Sequence, residues 1–321
     1  SPKALKAIRK NLPLLNRYPD SGAFYIKKKL AKFYGLEPAN FSLGNGSDEL
    51  IETIIKAFVE DDENILVADL TFLEYKIIAE AIGREVKVVP LKYFKYDLEA
   101  ICKKIDRKTK LIFIANPNNP TGTYVTRYEV EEFLKKVPDT TLVVFDEAYD
   151  VFIDVDDFPK TLNYLRRKNV LVLKTFSKSY GLAGLRIGLA IGNTEVISCI
   201  EKARQPFNVN LLAQIAGSAA LEDKEFLVKT RKLVLSGKQY LYKAFSDMGL
   251  AYLSSVANFV LVDVGKEGFV VFKEMLKYGV IVRDMRQYGL KNFIRVTVGT
   301  RKENERLVKV LRKVLKGKER Q

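Results

Sequence analysis

The chain is 321 residues long and 47% apolar, with 54 Lys plus Arg against 39 Asp plus Glu and a formal net charge of +15. It has no histidine and only two distant cysteines, Cys102 and Cys199. That excludes histidine triads, zinc sites and disulfide scaffolds, leads to no expected metal, and leaves lysine to be considered as the base. No apolar run approaches the roughly 20 residues that span a bilayer, and no secretory pattern opens the chain, so the reading is a soluble, cytoplasmic protein. Basic residues are interleaved with acids, as in Lys-Lys-Ile-Asp-Arg-Lys-Thr-Lys at 103–110, which describes a solvated surface rather than a nucleic-acid stripe.

A first helix is expected around 3–10. Gly-Asn-Gly-Ser-Asp-Glu-Leu at 44–50 then opens a helix running to about residue 58, so the backbone N–H groups of Ser47 and Asp48 face outward at its positive end, a place for a phosphate. A dinucleotide fingerprint would need a third glycine where Glu49 stands, and the nicotinamide reading is rejected. Strands are expected at 64–68, 85–89, 110–115, 141–145, 170–174 and 187–191, with helices between them, one of them capped by Thr126 with Glu129. This alternation predicts an α/β fold built on a mostly parallel sheet covered on both faces. Residues 208–245 read as one continuous helix. Strands at 259–262, 280–282 and 294–298, with helices between, form a smaller α/β unit, to which the first helix is also assigned. The expected division is a large domain over 20–245 and a discontinuous small domain over 1–19 and 246–321.

Open parallel sheets bind ligands beyond the carboxyl ends of their strands, and Asn119, Asp146 and Lys178 each fall at or just after such an end. They stand in Asn-Pro-Asn-Asn-Pro-Thr-Gly (116–122), Asp-Glu-Ala-Tyr (146–149) and Thr-Phe-Ser-Lys-Ser-Tyr-Gly-Leu-Ala-Gly-Leu-Arg (175–186). Taken singly these are a turn, a helix cap and a surface charge. Taken together they describe a site for pyridoxal phosphate, in which a lysine amine forms a Schiff base, a buried acid keeps the pyridine nitrogen protonated and polar groups hold the ring oxygen. Ser177 and Arg186 flank the lysine and add a hydroxyl and a guanidinium fork for the phosphate. Lys174 is the competing lysine, but it lies within a strand.

On these motifs the chain resembles the fold-type I pyridoxal-phosphate aminotransferases over essentially its whole length. Asn-Arg-Tyr-Pro-Asp at 16–20, Gln-Pro-Phe-Asn-Val-Asn at 205–210 and Ile-Arg-Val-Thr-Val-Gly-Thr at 294–300 are similar to the histidinol-phosphate subgroup. The resemblance implies an aspartate-aminotransferase-like fold with a seven-stranded-type sheet, and it implies residue roles. Lys178 holds the cofactor, Asp146 partners the pyridinium, and Asn119 with Tyr149 contacts the ring oxygen. Ser47, Asp48, Thr175, Ser177 and Arg186 hold the phosphate, and Phe72 stands where an aromatic stacks on the ring. Tyr18 reaches the phosphate of a neighbouring subunit, which implies a homodimer with shared sites. Arg295, assisted by Arg283, clamps the anionic group of the substrate.

The implied reaction is transamination between histidinol phosphate and 2-oxoglutarate in histidine biosynthesis. An aromatic-amino-acid aminotransferase and a threonine-phosphate decarboxylase are the alternatives on the same scaffold, and a non-enzymatic basic binding protein is the alternative of another class. Members of the subgroup carry an Asn-Glu-Asn-Pro segment ahead of the position where this chain begins, at Ser1-Pro2. A chain starting at Ser1 is expected to bind cofactor yet handle substrate less well.

Overall fold

The computed structural model describes residues 1–316. In chain order the first half runs α1 (Pro2–Asn11), α2 (Phe24–Tyr34), β1 (Phe41–Gly44), α3 (Ser47–Phe58), β2 (Asn64–Ala68), α4 (Glu74–Ala81), β3 (Glu85–Val89), α5 (Leu98–Lys104), β4 (Thr109–Ala115), α6 (Arg127–Lys136) and β5 (Leu142–Asp146). It continues with β6 (Val170–Thr175), β7 (Gly188–Gly192), α7 (Thr194–Ala203), α8 (Leu211–Ala220), α9 (Lys224–Ser246), β8 (Phe259–Asp263), α10 (Gly268–Leu276), β9 (Arg283–Asp284), β10 (Phe293–Thr297) and α11 (Arg301–Lys316).

The expected mostly parallel, seven-stranded sheet is present, in the order β1-β7-β6-β5-β4-β2-β3. Strands β2 to β6 pair parallel, and β7 is antiparallel to both β6 and β1. Strands β2, β5 and β7 are buried at every residue because helices cover both faces, so they read as continuous apolar runs without alternation. The sequence reading lacks β1, whose four residues are too short to carry a pattern and which pairs only with β7. The capping box of α6 forms as expected: Glu129 N–H donates to Thr126 Oγ1 and Thr126 N–H donates to Glu129 Oε2.

A second hydrophobic cluster gathers around the antiparallel sheet β8-β10-β9, drawing on α9, α10 and α11. Its third strand is Arg283–Asp284, not 280–282, where Val280 and Val282 instead pack into this core. The helix expected over 208–245 is two helices, interrupted at Leu221–Asp223. The interruption is a docking point. Asp223 accepts hydrogen bonds from the Ser1 hydroxyl and the Lys3 N–H, and the Glu222 carbonyl accepts one from Lys3 Nζ at 2.8 Å.

This docking corrects the placement of the first helix. α1 lies on α8, and Ala4, fully buried, belongs to the core of the seven-stranded body rather than to the smaller unit. The small residues of α8 (Leu-Leu-Ala-Gln-Ile-Ala-Gly-Ser-Ala-Ala) also let α2 approach closely; a Cβ on Gly217 would sit 2.9 Å from Ile26 Cδ1. Helix α9 serves both bodies, Leu227 packing on the larger core and Val234, Leu241 and Phe245 on the smaller.

Candidate active site

The carboxyl ends of β4, β5 and β6 lie side by side, and each delivers one motif to a cavity of about 250 Å³. Its wall includes Ser47, Asp48, Phe72, Asn119, Asp146, Tyr149, Thr175, Ser177, Lys178, Arg186 and Arg295, so eleven of the thirteen residues expected at the site meet there. Tyr18 and Arg283 do not line it. Tyr18 is 82% exposed, with its ring 5.0 Å from that of Phe207. Arg283 lies in an adjoining groove, bonded to Gln287 Oε1, where Arg295 forms the shared wall.

Asp146 ends β5 and is buried, and its two oxygens are separately held. Oδ2 accepts the Tyr75 hydroxyl at 2.7 Å, and Oδ1 accepts the Ala148 N–H at 3.2 Å. Burial raises its pKa to about 6 against the lowering effect of those two donors. Such a carboxylate, short of positive charge, is matched to a cationic ring nitrogen. The Tyr75 contact is absent from the sequence reading; its one signal is that Tyr75 stands near Phe72, itself expected in the wall.

Two lysines compete for the aldehyde, and their surroundings separate them. Lys178 follows β6 and presents its amine to the cavity, 5.5 Å from the Tyr149 ring centre. Burial of that amine lowers its pKa, and the nearby charge of Arg295 lowers it further, while Asp146 and Asp48 oppose the shift. Lys174 lies inside β6, bonded to Glu147 Oε2 at 2.7 Å and to Asp150. Burial works against its charge too, but Asp150 and Glu147 outweigh it and hold the pKa well above the ordinary lysine value. Of the two, Lys178 is the amine whose surroundings favour the neutral form, the form that reacts with an aldehyde.

Asn119 is placed by its neighbours. Asn118 bonds to the Leu70 carbonyl and to Thr121 and accepts the Thr71 hydroxyl, and Asn116 spans both the N–H and the carbonyl of Val125, which fixes the loop on either side. Asn119 Oδ1 accepts a hydrogen bond from Arg295 Nη1. The Tyr149 ring is buried edge-on against Phe259, at 5.1 Å and 87°. Burial pushes its hydroxyl up to about 12, so it stays a proton donor.

At the opposite end, α3 begins at Ser47 after Gly46, whose φ of 84° suits glycine. Backbone approach is close: a Cβ on Gly188 would lie 2.5 Å from Ser47 N, and one on Gly46 would lie 2.5 Å from Arg186 Nη2. Arg186 is thus brought against the helix start, where it pairs with Asp48 at 2.8 Å. Ser177 N–H donates to Thr175 Oγ1, closing the turn that carries both hydroxyls. Helix N–H groups, two hydroxyls and a guanidinium converge, a donor set for a phosphate.

Pyridoxal phosphate fits this arrangement at both ends, with an amine, an acid and ring-oxygen donors at one and phosphate donors at the other. Among the described residues the buried Arg295 Nε has no hydrogen-bond partner, although its guanidinium also lies 4.8 Å over the Phe259 ring. A buried N–H without a partner is costly, and an anionic ligand would satisfy it.

The sequence profile of aminotransferases of class I and II matches residues 1–311. A histidinol-phosphate aminotransferase of Moorella thermoacetica is 42% identical over 98% of this chain and 82% of that protein. Histidinol-phosphate aminotransferase 2 of Pseudomonas fluorescens is 44% identical over 98% of this chain and 85% of its own length. The crystal structure of the Sinorhizobium meliloti histidinol-phosphate aminotransferase in complex with pyridoxal-5'-phosphate superposes with a TM-score of 0.93 at 29% identity, over 98% of this chain and 88% of that one. With the cavity described above, this match over nearly the whole sequence settles the family: the chain belongs to the class I and II aminotransferases.

Proposed function

We propose that the protein transfers the amino group of histidinol phosphate to 2-oxoglutarate with pyridoxal phosphate as cofactor, forming imidazole acetol phosphate and glutamate in histidine biosynthesis. The observation that carries this reading is one cavity holding the Lys178 amine, the Asp146 carboxylate and the unsatisfied Nε of Arg295. Relatives of that name at 42% and 44% identity support the choice of substrate.

When bound, pyridoxal phosphate supplies an aldehyde carbon for the amino group and a cationic ring that withdraws electrons. Asp146 keeps the ring nitrogen protonated by an opposite-charge effect typically worth about 1 to 3 pKa units. Asn119 and Tyr149 would hold the ring oxygen, and Phe72 lines the cavity beside them. The N–H groups of Ser47 and Asp48, with Thr175, Ser177 and Arg186, anchor the phosphate. Lys178 Nζ would accept the proton from the substrate's α-carbon, and burial, which lowers its pKa, favours the neutral form that can do so. Arg295 binds the carboxylate of glutamate or the phosphate of histidinol phosphate in turn, and Arg283 assists from the adjoining groove.

The working form is a homodimer in which Tyr18 reaches the partner's site. Leu12, Leu15, Tyr18, Phe24 and Tyr25 are all exposed in one stretch of chain, an apolar surface suited to a second copy. Among the described residues no helix is long and apolar enough to cross a membrane, which supports a cytoplasmic enzyme.

The test is glutamate formation from purified protein, pyridoxal phosphate, histidinol phosphate and 2-oxoglutarate. Turnover with this donor exceeding that with phenylalanine or tyrosine supports the proposal. Turnover with aromatic donors alone, or carbon dioxide release from threonine phosphate, replaces it with one of the neighbouring activities.

A further inference from the structure

Lys238, in the middle of α9, is 1% exposed and has no part in the chemistry described above. Its ammonium group donates to the Ser255 carbonyl at 2.7 Å and to Asp154 Oδ2 at 3.0 Å. Two turns earlier on the same helix, Arg231 donates to the Ile153 carbonyl at 2.6 Å. One turn later, the Tyr242 hydroxyl accepts the Ser255 N–H at 2.8 Å and donates to the Ser255 carbonyl at 3.2 Å. Helix α9 therefore grips two segments at once. One, 150–154, directly continues the segment bearing Asp146 and Tyr149; the other, 254–257, leads into β8.

The second segment touches the site through the backbone. Val256 N–H donates to the Gly122 carbonyl at 2.9 Å, and Gly122 N–H in turn donates to the Asn118 carbonyl at 2.8 Å, closing the loop that carries Asn119. The fit leaves no slack: Gly122 has φ +74°, and a Cβ there would lie 2.2 Å from Ser255 Oγ. The same segment feeds β8, which pairs with β10 and so sets the position of Arg295, opposite Leu261. Asn119 and Arg295, which are hydrogen-bonded to each other, are thus both referred to Ser255.

We propose that Lys238 is a positioning residue for the aminotransferase site: by fastening Ser255 and Asp154 to α9, it fixes Asn119, Tyr149 and Arg295 relative to one another. Lys238 is buried, whereas Asp154 reaches the surface with a side chain 33% exposed; a charge held in the interior is weak evidence for stability, and its best-attested use is in fixing one arrangement among several. Burial lowers the pKa of Lys238, while Asp154 pulls it upward. The inference rests on the cofactor reading given above, since Asn119 and Tyr149 matter as holders of the ring oxygen.

Three proteins decide it: the wild type, Lys238→Met and Tyr242→Phe, each loaded with pyridoxal phosphate. Tyr242→Phe removes both hydroxyl bonds to Ser255 while keeping the ring. The readouts are the pH midpoint of the bound cofactor's visible absorption, the cofactor Kd, and kcat and KM separately. The expected result is a shifted absorption midpoint and a kcat lowered on the order of 10- to 100-fold in Lys238→Met, with cofactor Kd within about twofold of wild type, as a displaced ring-oxygen contact requires. Tyr242→Phe moves both readouts the same way by a smaller amount, and it carries the test alone where Lys238→Met does not fold. A folded Lys238→Met with the wild-type midpoint and kcat overturns the inference, as does a folded Tyr242→Phe with those values where Lys238→Met does not fold. A wild type with no absorbance band on adding pyridoxal phosphate overturns the cofactor reading instead, so the two failures are distinct.

Discussion

The Tyr75 hydroxyl donates to Asp146 Oδ2 from a ring stacked flat on Phe113, with centroids 4.6 Å apart and planes 5° from parallel. The stacking fixes the ring and leaves the hydroxyl one direction in which to point. Since the bond lowers the Asp146 pKa against burial, Tyr75→Phe raises that pKa further. Hydrogen bonds to charged groups contribute about 1.5–3 kcal/mol, so pyridoxal phosphate should bind roughly tenfold or more weakly near neutral pH. Titration of the cofactor by absorbance measures this, and an unchanged Kd would show that the bond does not support the carboxylate.

Asp146 makes the cofactor-free protein sensitive to pH. Its pKa is raised on folding from 3.8 to about 6, so the folded state favours the protonated form. The associated stability is fully present below about pH 4 and is lost as pH rises through about 6. A rise of that size corresponds to about 3 kcal/mol at neutral pH as an upper bound. Asp146→Asn removes this loss, so the cofactor-free variant gains thermal stability over wild type between pH 4 and 7 while losing transamination. Parallel melting curves for the two proteins across that window would contradict the assignment.

Reduction with borohydride in the presence of pyridoxal phosphate should label the peptide bearing Lys178 and leave Lys174 unlabelled, because the latter is held charged between Glu147 and Asp150. Lys178→Ala should lower kcat on the order of 10²- to 10⁴-fold, the range for losing a positioned base. Peptide mapping by mass spectrometry reads the first outcome and steady-state kinetics the second. Label on Lys174 in the wild type would reverse the assignment.

Arg295→Lys keeps the charge but loses the planar fork and the Nε donor that has no protein partner. The expected effect is a rise in KM of about 10- to 100-fold for both 2-oxoglutarate and the amino donor, with smaller change in cofactor binding. A KM change confined to one substrate would mean that the two anions are bound by different groups.

Gly188→Ala places a methyl group against the Gly46–Ser47 backbone, where no flexible side chain can yield. Overpacking of this kind costs about 1–3 kcal/mol and displaces the start of α3 from Arg186. Lower thermal stability and weaker cofactor binding should appear together. Isothermal titration with pyridoxal phosphate, set beside a titration with pyridoxal, isolates the phosphate end.

The cavity was legible in the sequence where chemistry demands particular residue types at strand ends. Asn119, Asp146 and Lys178 belong to three separate motifs, and parallel pairing of β4, β5 and β6 is enough to bring them together. Tyr75 was not legible, because its contact with Asp146 depends on how α4 lies over the sheet, which no local spacing encodes. The break at Leu221–Asp223 was hidden for a related reason: those residues suit a helix, and the break is made by a tertiary partner, Ser1, far away in sequence. β1 was too short to show a period, and Arg283 carried the right chemistry but faces the adjoining groove.

The order of the large sheet bears on how the chain is assembled. β1 is the earliest of its seven strands in sequence, yet its sole neighbour is β7, the last of them, and α1 likewise waits for α8. On a ribosome β1 emerges with no strand to pair against until Gly188–Gly192 has been made, and α1 waits for Leu211–Ala220. The β1 edge of the large sheet is thus closed late, after β2 to β6 have been made, and an unpaired strand edge persists meanwhile, the condition under which aggregation competes with folding and chaperones become useful.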